Sequence, residues 1–292
     1  MPTIEGKEDM PEIYSHIFYP SNLNELLNIK NKNPDAVIWS GGTGFMGKQK
    51  SKTPNLPTTI IQISKIQELK KIKRTERFLE IGAGAVINKI LNVGQHVLPT
   101  ALSQAMRLIK PVSIRNTATL GGHLCVQETR LSLFSVLSLM DTSLEIRKSG
   151  GSRWLKINRF FNKNGEIQIK KNEILTRIRI PFGNWNREIF KSNGNPFFDA
   201  KNAISFCILA EIEKGLLIDF RMNIGNSGKY TIRNIEIESL MIGKNLPFSS
   251  KEAALIAQKN KEWIESLTVE LSPFQRSRAI RFVSWILKEL LP

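Results

Sequence analysis

Two glycine pairs constrain this chain more than any other feature of it. Gly41 and Gly42 lie in "WSGGTGFMGK" (39–48), and Gly121 and Gly122 lie in "IRNTATLGGHL" (114–124), eighty residues further on. Glycine lacks a Cβ and reaches positive φ, so a turn built on it lets backbone N–H groups approach an anion that a side chain would hold off. The local charge has the same bias. No residue from 36 to 67 is acidic, while Lys48, Lys50, Lys52 and Lys65 are basic. No residue from 81 to 127 is acidic either, and Lys89, Arg107, Lys110 and Arg115 are basic there. Two such turns could clasp one diphosphate; as plain tight turns they would need no ligand.

Known phosphate motifs fit only in fragments. Gly42, Gly47 and Lys48 approach a P-loop, but Gln49 stands where a metal-ligating hydroxyl belongs and Pro54 falls where a helix should run. "GAGAVI" (82–87) begins like a dinucleotide fingerprint, yet Ile87 takes the third glycine's place and the acid that should follow for the ribose is missing. No nucleophile elbow is present, and His16, His96 and His123 are too scattered to nominate a triad or a zinc site. We therefore nominate no catalytic side chain and no metal ligand, and expect any chemistry to belong to a bound cofactor.

Cys125 and Cys207 are the only cysteines of the 292 residues, too few for the four thiolates of an iron–sulfur cluster. Any such cluster is expected on a partner. The net charge of +16 invites a nucleic-acid reading, but the basic residues are dispersed and not interleaved with aromatics, so no nucleic-acid partner is expected. The start lacks a basic segment followed by an apolar run, and no run of about eighteen apolar residues occurs; a cytoplasmic protein without membrane insertion is the expectation.

Along the chain, "SNLNELLNIK" reads as a helix capped by Ser21, and "AVIWSGG", "TTIIQIS" and "RFLEIGAGA" read as short strands. "LPTALSQAMRLI" and "LSLFSVLSLM" read as helices, and "TSLEIRKSGGSRWLKI" as a hairpin turning at Gly150 and Gly151. From about Glu173, "EILTRIRIPF", "AISFCILAEIEKG", "LLIDFRMNIGN" and "YTIRNIEIESLMIG" alternate apolar and polar residues as half-buried antiparallel strands do. Two helices close the chain. This predicts an α+β protein with a boundary near 171: a first domain over 1–171, split near 70, and a second over 172–292.

In this order, "SGGTGFM", "FLEIGAGAVINKI", "LPTALSQAM", "IRNTATLGGHL" and "EILTRIRIPF" resemble the FAD-binding (medium) subunit of molybdenum hydroxylases, the xanthine dehydrogenase and carbon monoxide dehydrogenase flavoprotein family. The resemblance implies a two-lobed FAD-binding domain of the vanillyl-alcohol-oxidase-like type, then a smaller α+β domain with an antiparallel sheet and C-terminal helices. It implies FAD as cofactor. The first loop, Ile38, Ser40, Gly41, Gly42, Thr43, Gly44 and Phe45, would wrap the pyrophosphate. The second, Thr119, Gly121, Gly122 and His123, would approach the diphosphate and ribityl chain from the other side. Ile109 falls at a flavin-contacting position, Leu175 at an adenine-side position, and Lys191 at a position of the second domain that reaches the cofactor.

The family's usual residues differ at two of these places and at Ser132. Gly44 stands for an aspartate, His123 for an asparagine, and Ser132 for the acid that holds a ribityl hydroxyl. Serine loses the charge-assisted bond of a carboxylate, which weakens flavin binding by about 1–2 kcal/mol. By the resemblance the protein is a flavin electron-transfer subunit, an FAD-dependent oxidoreductase component in a hetero-oligomer. It would take electrons from a partner's 2Fe-2S small subunit, beside a molybdopterin-binding large subunit, and pass them to NAD+ or another acceptor. The alternative is a non-catalytic scaffold subunit of such a complex that has lost or weakened FAD binding.

Overall fold

The computed structural model describes residues 15–49, 54–94, 96–126, 132–162, 164–194, 202–226, 231–269 and 271–290. β1 (His16–Phe18), α1 (Leu23–Lys32), β2 (Val37–Trp39), the single turn α2 (Thr43–Met46) and β3 (Thr59–Gln62) make a small parallel unit with sheet order β1-β3-β2. Parallel neighbours need a crossover. Between β1 and β2 that path runs through α1, whose Leu26 and Leu27 are buried with Ile61, Ile63 and Ile66. Lys30 shares that stripe, and its ammonium donates to the carbonyls of Pro34 (2.9 Å) and Ala36 (2.6 Å), closing the turn into β2. The helix is capped by Asn22, not by Ser21: Asn22 Oδ1 accepts from the Glu25 N–H at 2.9 Å, while the Ser21 hydroxyl donates to the Glu25 carboxylate at 2.7 Å.

The middle of the chain holds β4 (Ile72–Arg74), β5 (Phe78–Gly82), α3 (Ile87–Leu91), α4 (Thr100–Arg107), α5 (Val112–Arg115), α6 (Leu120–Leu124), α7 (Ser132–Leu139), β6 (Ser143–Lys148), β7 (Gly151–Lys156) and β8 (Ile174–Pro181). Its sheet has the order β4-β5-β8-β6-β7, with every neighbouring pair antiparallel. Gly150 turns the β6–β7 hairpin at φ 82°, as the sequence implied. Leu79, Ile81, Leu144, Ile178 and Ile180 point into a core shared with α3, α4, α6 and α7. On the other face Arg179 donates twice to Glu80 (2.9 and 2.6 Å), and Arg177 bridges Glu80 at 3.3 Å and Glu145 at 3.5 Å.

The strand expected to open the second domain is therefore the central strand of the first large sheet. "EILTRIRIPF" has the alternation of a half-buried strand, but alternation does not name the partner, and β8 pairs with β6 nearby in the chain and returns to pair with β5 from almost a hundred residues away. The chain leaves this sheet after Pro181, not near 171.

Beyond it, β9 (Arg187–Asn193), β10 (Ile204–Glu213), β11 (Leu216–Asn226) and β12 (Thr231–Ile232) form a sheet in the order β12-β11-β10-β9, followed by α8 (Ile235–Met241), α9 (Ser250–Ser266) and α10 (Pro273–Glu289). β10 is buried on both faces. Cys207 and Leu209 join the core of the preceding sheet, whereas Phe206, Ile208 and Ala210 join a second core with α8, α9 and α10, where Phe206 stacks on Phe282 at 3.9 Å. Within "YTIRNIEIESLMIG", expected as strand, Thr231–Ile232 is strand and Ile235–Met241 is helix. Asn234 caps α8 by accepting from the N–H groups of Glu236 (2.9 Å) and Ile237 (3.2 Å), and Ile237 and Met241 are buried one turn apart while Ile235 is exposed. The capping asparagine outweighs a three-residue alternation. Both closing helices begin with capping boxes, Ser249 with Glu252 and Ser272 with Gln275.

Candidate cofactor site

The first glycine loop begins where β2 ends. Gly42 is left-handed, with φ 67°, and Thr43 starts the α2 turn, so a left-handed residue is followed by right-handed ones and the successive N–H groups converge. A Cβ on Gly42 would meet the Trp39 indole at 2.6 Å, and Phe45 packs on the same indole with ring centroids 5.0 Å apart. Trp39 thus backs the loop on its apolar side. Among the described residues, no hydrogen bond is made by the N–H groups of Gly41, Gly42, Thr43, Gly44 or Phe45; the turn's bonds begin with Met46 N–H to the Gly42 carbonyl at 2.9 Å. Ile38 packs its half-buried side chain into the small unit's core, and Ser40 sits half-buried at the bend.

The second loop is built differently. Gly121 N–H donates to the Ala83 carbonyl at 2.8 Å and Leu120 N–H to the Ala85 carbonyl at 3.0 Å, stitching the loop to "GAGA". Thr119 Oγ1 takes the Gly122 N–H at 3.2 Å, and the Thr119 carbonyl takes the His123 N–H at 2.9 Å. A Cβ on Gly121 would come within 2.6 Å of the Ala83 Cβ and 2.7 Å of its carbonyl oxygen. Gly121 is therefore needed for contact with this chain's own backbone, and its N–H is not free for a ligand. What the second loop offers outward is Gly122, which is exposed, and the partly covered His123.

The two loops meet. A Cβ on Gly41 would overlap the Thr117 carbonyl, and one on Gly44 would lie 3.3 Å from Val126 Cγ2. Arg115 braces this junction by donating to the carbonyls of Ile109 (2.7 Å) and Arg107 (3.3 Å). Two buried polar atoms here lack partners among the described residues, Arg115 Nε and His123 Nε2. Shielding of the His123 ring pushes its pKa down to about 3, so it is a neutral imidazole at ordinary pH.

The remaining expected residues divide. Ile109 is half-buried against the main core beside this junction. Leu175 is 6% exposed and points into that core from β8; the next residue, Thr176, accepts from the Ala83 N–H at 3.0 Å. Lys191 carries its ammonium 5.5 Å from the centre of the Trp285 ring on α10, on the opposite face of β9 from Phe190. Strand parity decides this, and the parity of β9 could not be read without its partners. Ser132 begins α7, but its side chain and residues 127–131 lie outside the described residues. Trp39, Ala83, Thr117 and the bracing role of Arg115 were not anticipated. Arg115 lay inside the "IRN" block, which was the one available signal. Among the described residues, no group of three or more His, Cys, Asp or Glu could hold a metal ion, and no helix is long and apolar enough to cross a membrane.

A family profile described as the FAD binding domain in molybdopterin dehydrogenase matches residues 12–183, more than half the chain and ending just past β8. Aldehyde oxidase 2 of Cavia porcellus is 29% identical over 173 residues, covering 56% of this chain and 13% of that protein. The xanthine dehydrogenase FAD-binding subunit of Escherichia coli O157:H7 is 27% identical over 164 residues, 55% of this chain and 56% of that protein. The alignments thus span about half the length of the bacterial subunit and a small part of the oxidase. Among solved structures, quinoline 2-oxidoreductase from Pseudomonas putida 86 superposes with a TM-score of 0.79 at 18% identity, over 94% of this chain and 96% of that one. Carbon monoxide dehydrogenase from Hydrogenophaga pseudoflava gives 0.77 at 18% identity, over 94% and 95%. At such identity these superpositions establish the fold.

Proposed function

Since the chain belongs to the family of FAD binding domains in molybdopterin dehydrogenases, we propose that it is the flavin electron-transfer subunit of a xanthine dehydrogenase-like molybdenum hydroxylase. Its cofactor is FAD. The observation that carries the reading is the run of five N–H groups, Gly41 to Phe45, without acceptors among the described residues, at a left-handed glycine. A diphosphate supplies the acceptors such a run lacks. His123 Nε2, shielded and without a partner among the described residues, is a second group that a ligand would satisfy.

In this reading the N–H groups of Gly41, Gly42, Thr43, Gly44 and Phe45 hold the diphosphate, and Trp39 and Phe45 keep water from behind the loop. Thr119, Gly122 and the neutral His123 form the facing wall, with Gly121 fixing that wall to Ala83. Arg115 holds the Ile109 turn in place. FAD, when bound, supplies the redox chemistry that no side chain here provides. The subunit works with a molybdopterin-binding large subunit and a 2Fe-2S small subunit in the cytoplasm, and hands electrons to NAD+ or another acceptor. The similarity to a separate FAD-binding subunit of xanthine dehydrogenase supports this assembly.

A scaffold subunit without flavin is the second reading. The observation favouring it is that Gly121 and Gly122 spend their N–H groups inside the chain, so the second loop keeps its shape without a ligand. An absorption spectrum of the purified protein separates the two. Flavin bands in the visible, with FAD released on heating, support the first reading; a colourless protein that takes up no added FAD supports the second.

A further inference from the structure

Asn223 on β11 is 1% exposed, and its carboxamide is turned onto α7, not onto the helices of its own sheet. Ser135 Oγ donates to Asn223 Oδ1 at 2.7 Å, and Asn223 Nδ2 donates to the Ser135 carbonyl at 2.7 Å and to Ser138 Oγ at 3.2 Å. Ser138 Oγ in turn donates to the Ser135 carbonyl at 2.8 Å. Two residues before, Arg221 donates to the Leu139 carbonyl at 3.2 Å and pairs with Asp141. Two residues after, a Cβ on Gly225 would stand 3.1 Å from Ser135 Oγ, so the strand passes directly against the helix. Residues 221, 223 and 225 share one face of β11 by the period of a strand.

A buried network with every member paired fixes one geometry, because any other leaves a polar group unpaired in a low-dielectric interior. Beyond this clamp α7 packs against α6, and Leu120 and Leu124 of α6 share a core with Leu133, Phe134 and Leu137 of α7. α6 is the element that carries Gly121, Gly122 and His123.

We infer that Asn223 is a positioning residue of the flavin site: through it the C-terminal sheet fixes α7, and α7 fixes the second glycine loop. This rests on the flavin reading above. It gives the part of the chain after Pro181 a role at a site to which it contributes no glycine loop.

The test measures amide hydrogen exchange across α7 without FAD and, separately, FAD affinity by titration, in wild type, Asn223→Leu, Asn223→Asp and the triple variant Asn223→Leu/Ser135→Ala/Ser138→Ala. Asn223→Asp keeps the size and places an acceptor oxygen opposite the Ser135 carbonyl where the Nδ2 donor stood, so it breaks the clamp without changing side-chain bulk. Exchange in α7 is expected to quicken about tenfold while the five-stranded sheet stays protected. FAD affinity is expected to fall about tenfold. The triple variant, apolar on both sides, should recover thermal stability but not affinity. Unchanged α7 exchange overturns the clamp, and affinity recovering together with stability reduces Asn223 to a packing residue. A wild type that binds no FAD, with α7 exchange still quickened in the variants, overturns the flavin reading and with it the functional role of the clamp.

Discussion

Gly41 presses its Cα hydrogens against the Thr117 carbonyl, so closely that a Cβ there would overlap the oxygen. The two glycine loops are fitted to one another by direct backbone contact. Gly41→Ala should therefore cost about 1–3 kcal/mol of stability without FAD, because a backbone carbonyl cannot swing aside. Gly44→Ala should change it little, since the nearest obstacle is Val126 Cγ2 at 3.3 Å. Urea unfolding of the FAD-free variants checks this; equal costs would contradict the fitted junction.

Gly121 and Gly122 should also differ. At Gly121 a methyl group meets Ala83 at 2.6 Å, whereas at Gly122 it meets only Thr119 Oγ1 at 2.9 Å, an atom that can rotate. Gly121→Ala is expected to destabilise the FAD-free protein by about 1–3 kcal/mol and Gly122→Ala by less than about 1 kcal/mol. If Gly122→Ala nonetheless weakens FAD binding, the exposed glycine faces the cofactor; unchanged affinity would remove it from the site.

His123 gives the protein an acid-side liability. Its folded pKa is drawn down to about 3 by burial of the ring. An unfolded imidazole titrates near about 6.5, so below that pH the unfolded chain binds a proton the folded one refuses. Stability from this group is intact above about pH 6.5 and falls toward pH 3 by up to about 1.4 kcal/mol per unit. Between pH 7 and pH 5 the wild type should lose about 2 kcal/mol more than His123→Asn. Parallel losses would show that His123 is not the group responsible.

Lys30 tests the approach to the first loop. Its ammonium satisfies the carbonyls of Pro34 and Ala36 from a position only 7% exposed. Lys30→Met keeps the stem and removes the donor, leaving the buried Ala36 carbonyl and the more accessible Pro34 carbonyl short of a partner, at an expected cost of about 1–3 kcal/mol. Chemical unfolding that shows no change would mean that water replaces the ammonium.

What the sequence disclosed was local. The Gly42 turn, the Gly150 hairpin and the two long helices follow from φ requirements, turn chemistry and capping boxes that act within a few residues. β8 was legible as a strand and not as a member of the first large sheet, because its pairing with β5 is set by contacts almost a hundred residues away. α8 was hidden by an Ile-Glu-Ile alternation that Asn234 overrides. At the site, residue type indicated which backbone must come close, but not to what: Gly121 is close to Ala83, and Lys191 turns onto Trp285. Trp39 gave no signal because its role is to support Gly42 from behind, a relation visible only once the turn is formed.

The most direct test of the account is a titration of FAD-free protein with FAD, read by flavin fluorescence and repeated with ADP as competitor. Saturable one-to-one binding that ADP displaces, lost in Gly41→Ala and retained in Gly44→Ala, is the predicted result. Binding that survives Gly41→Ala undiminished, or no saturable binding by the wild type, would contradict a flavin held at the Gly41–Phe45 loop.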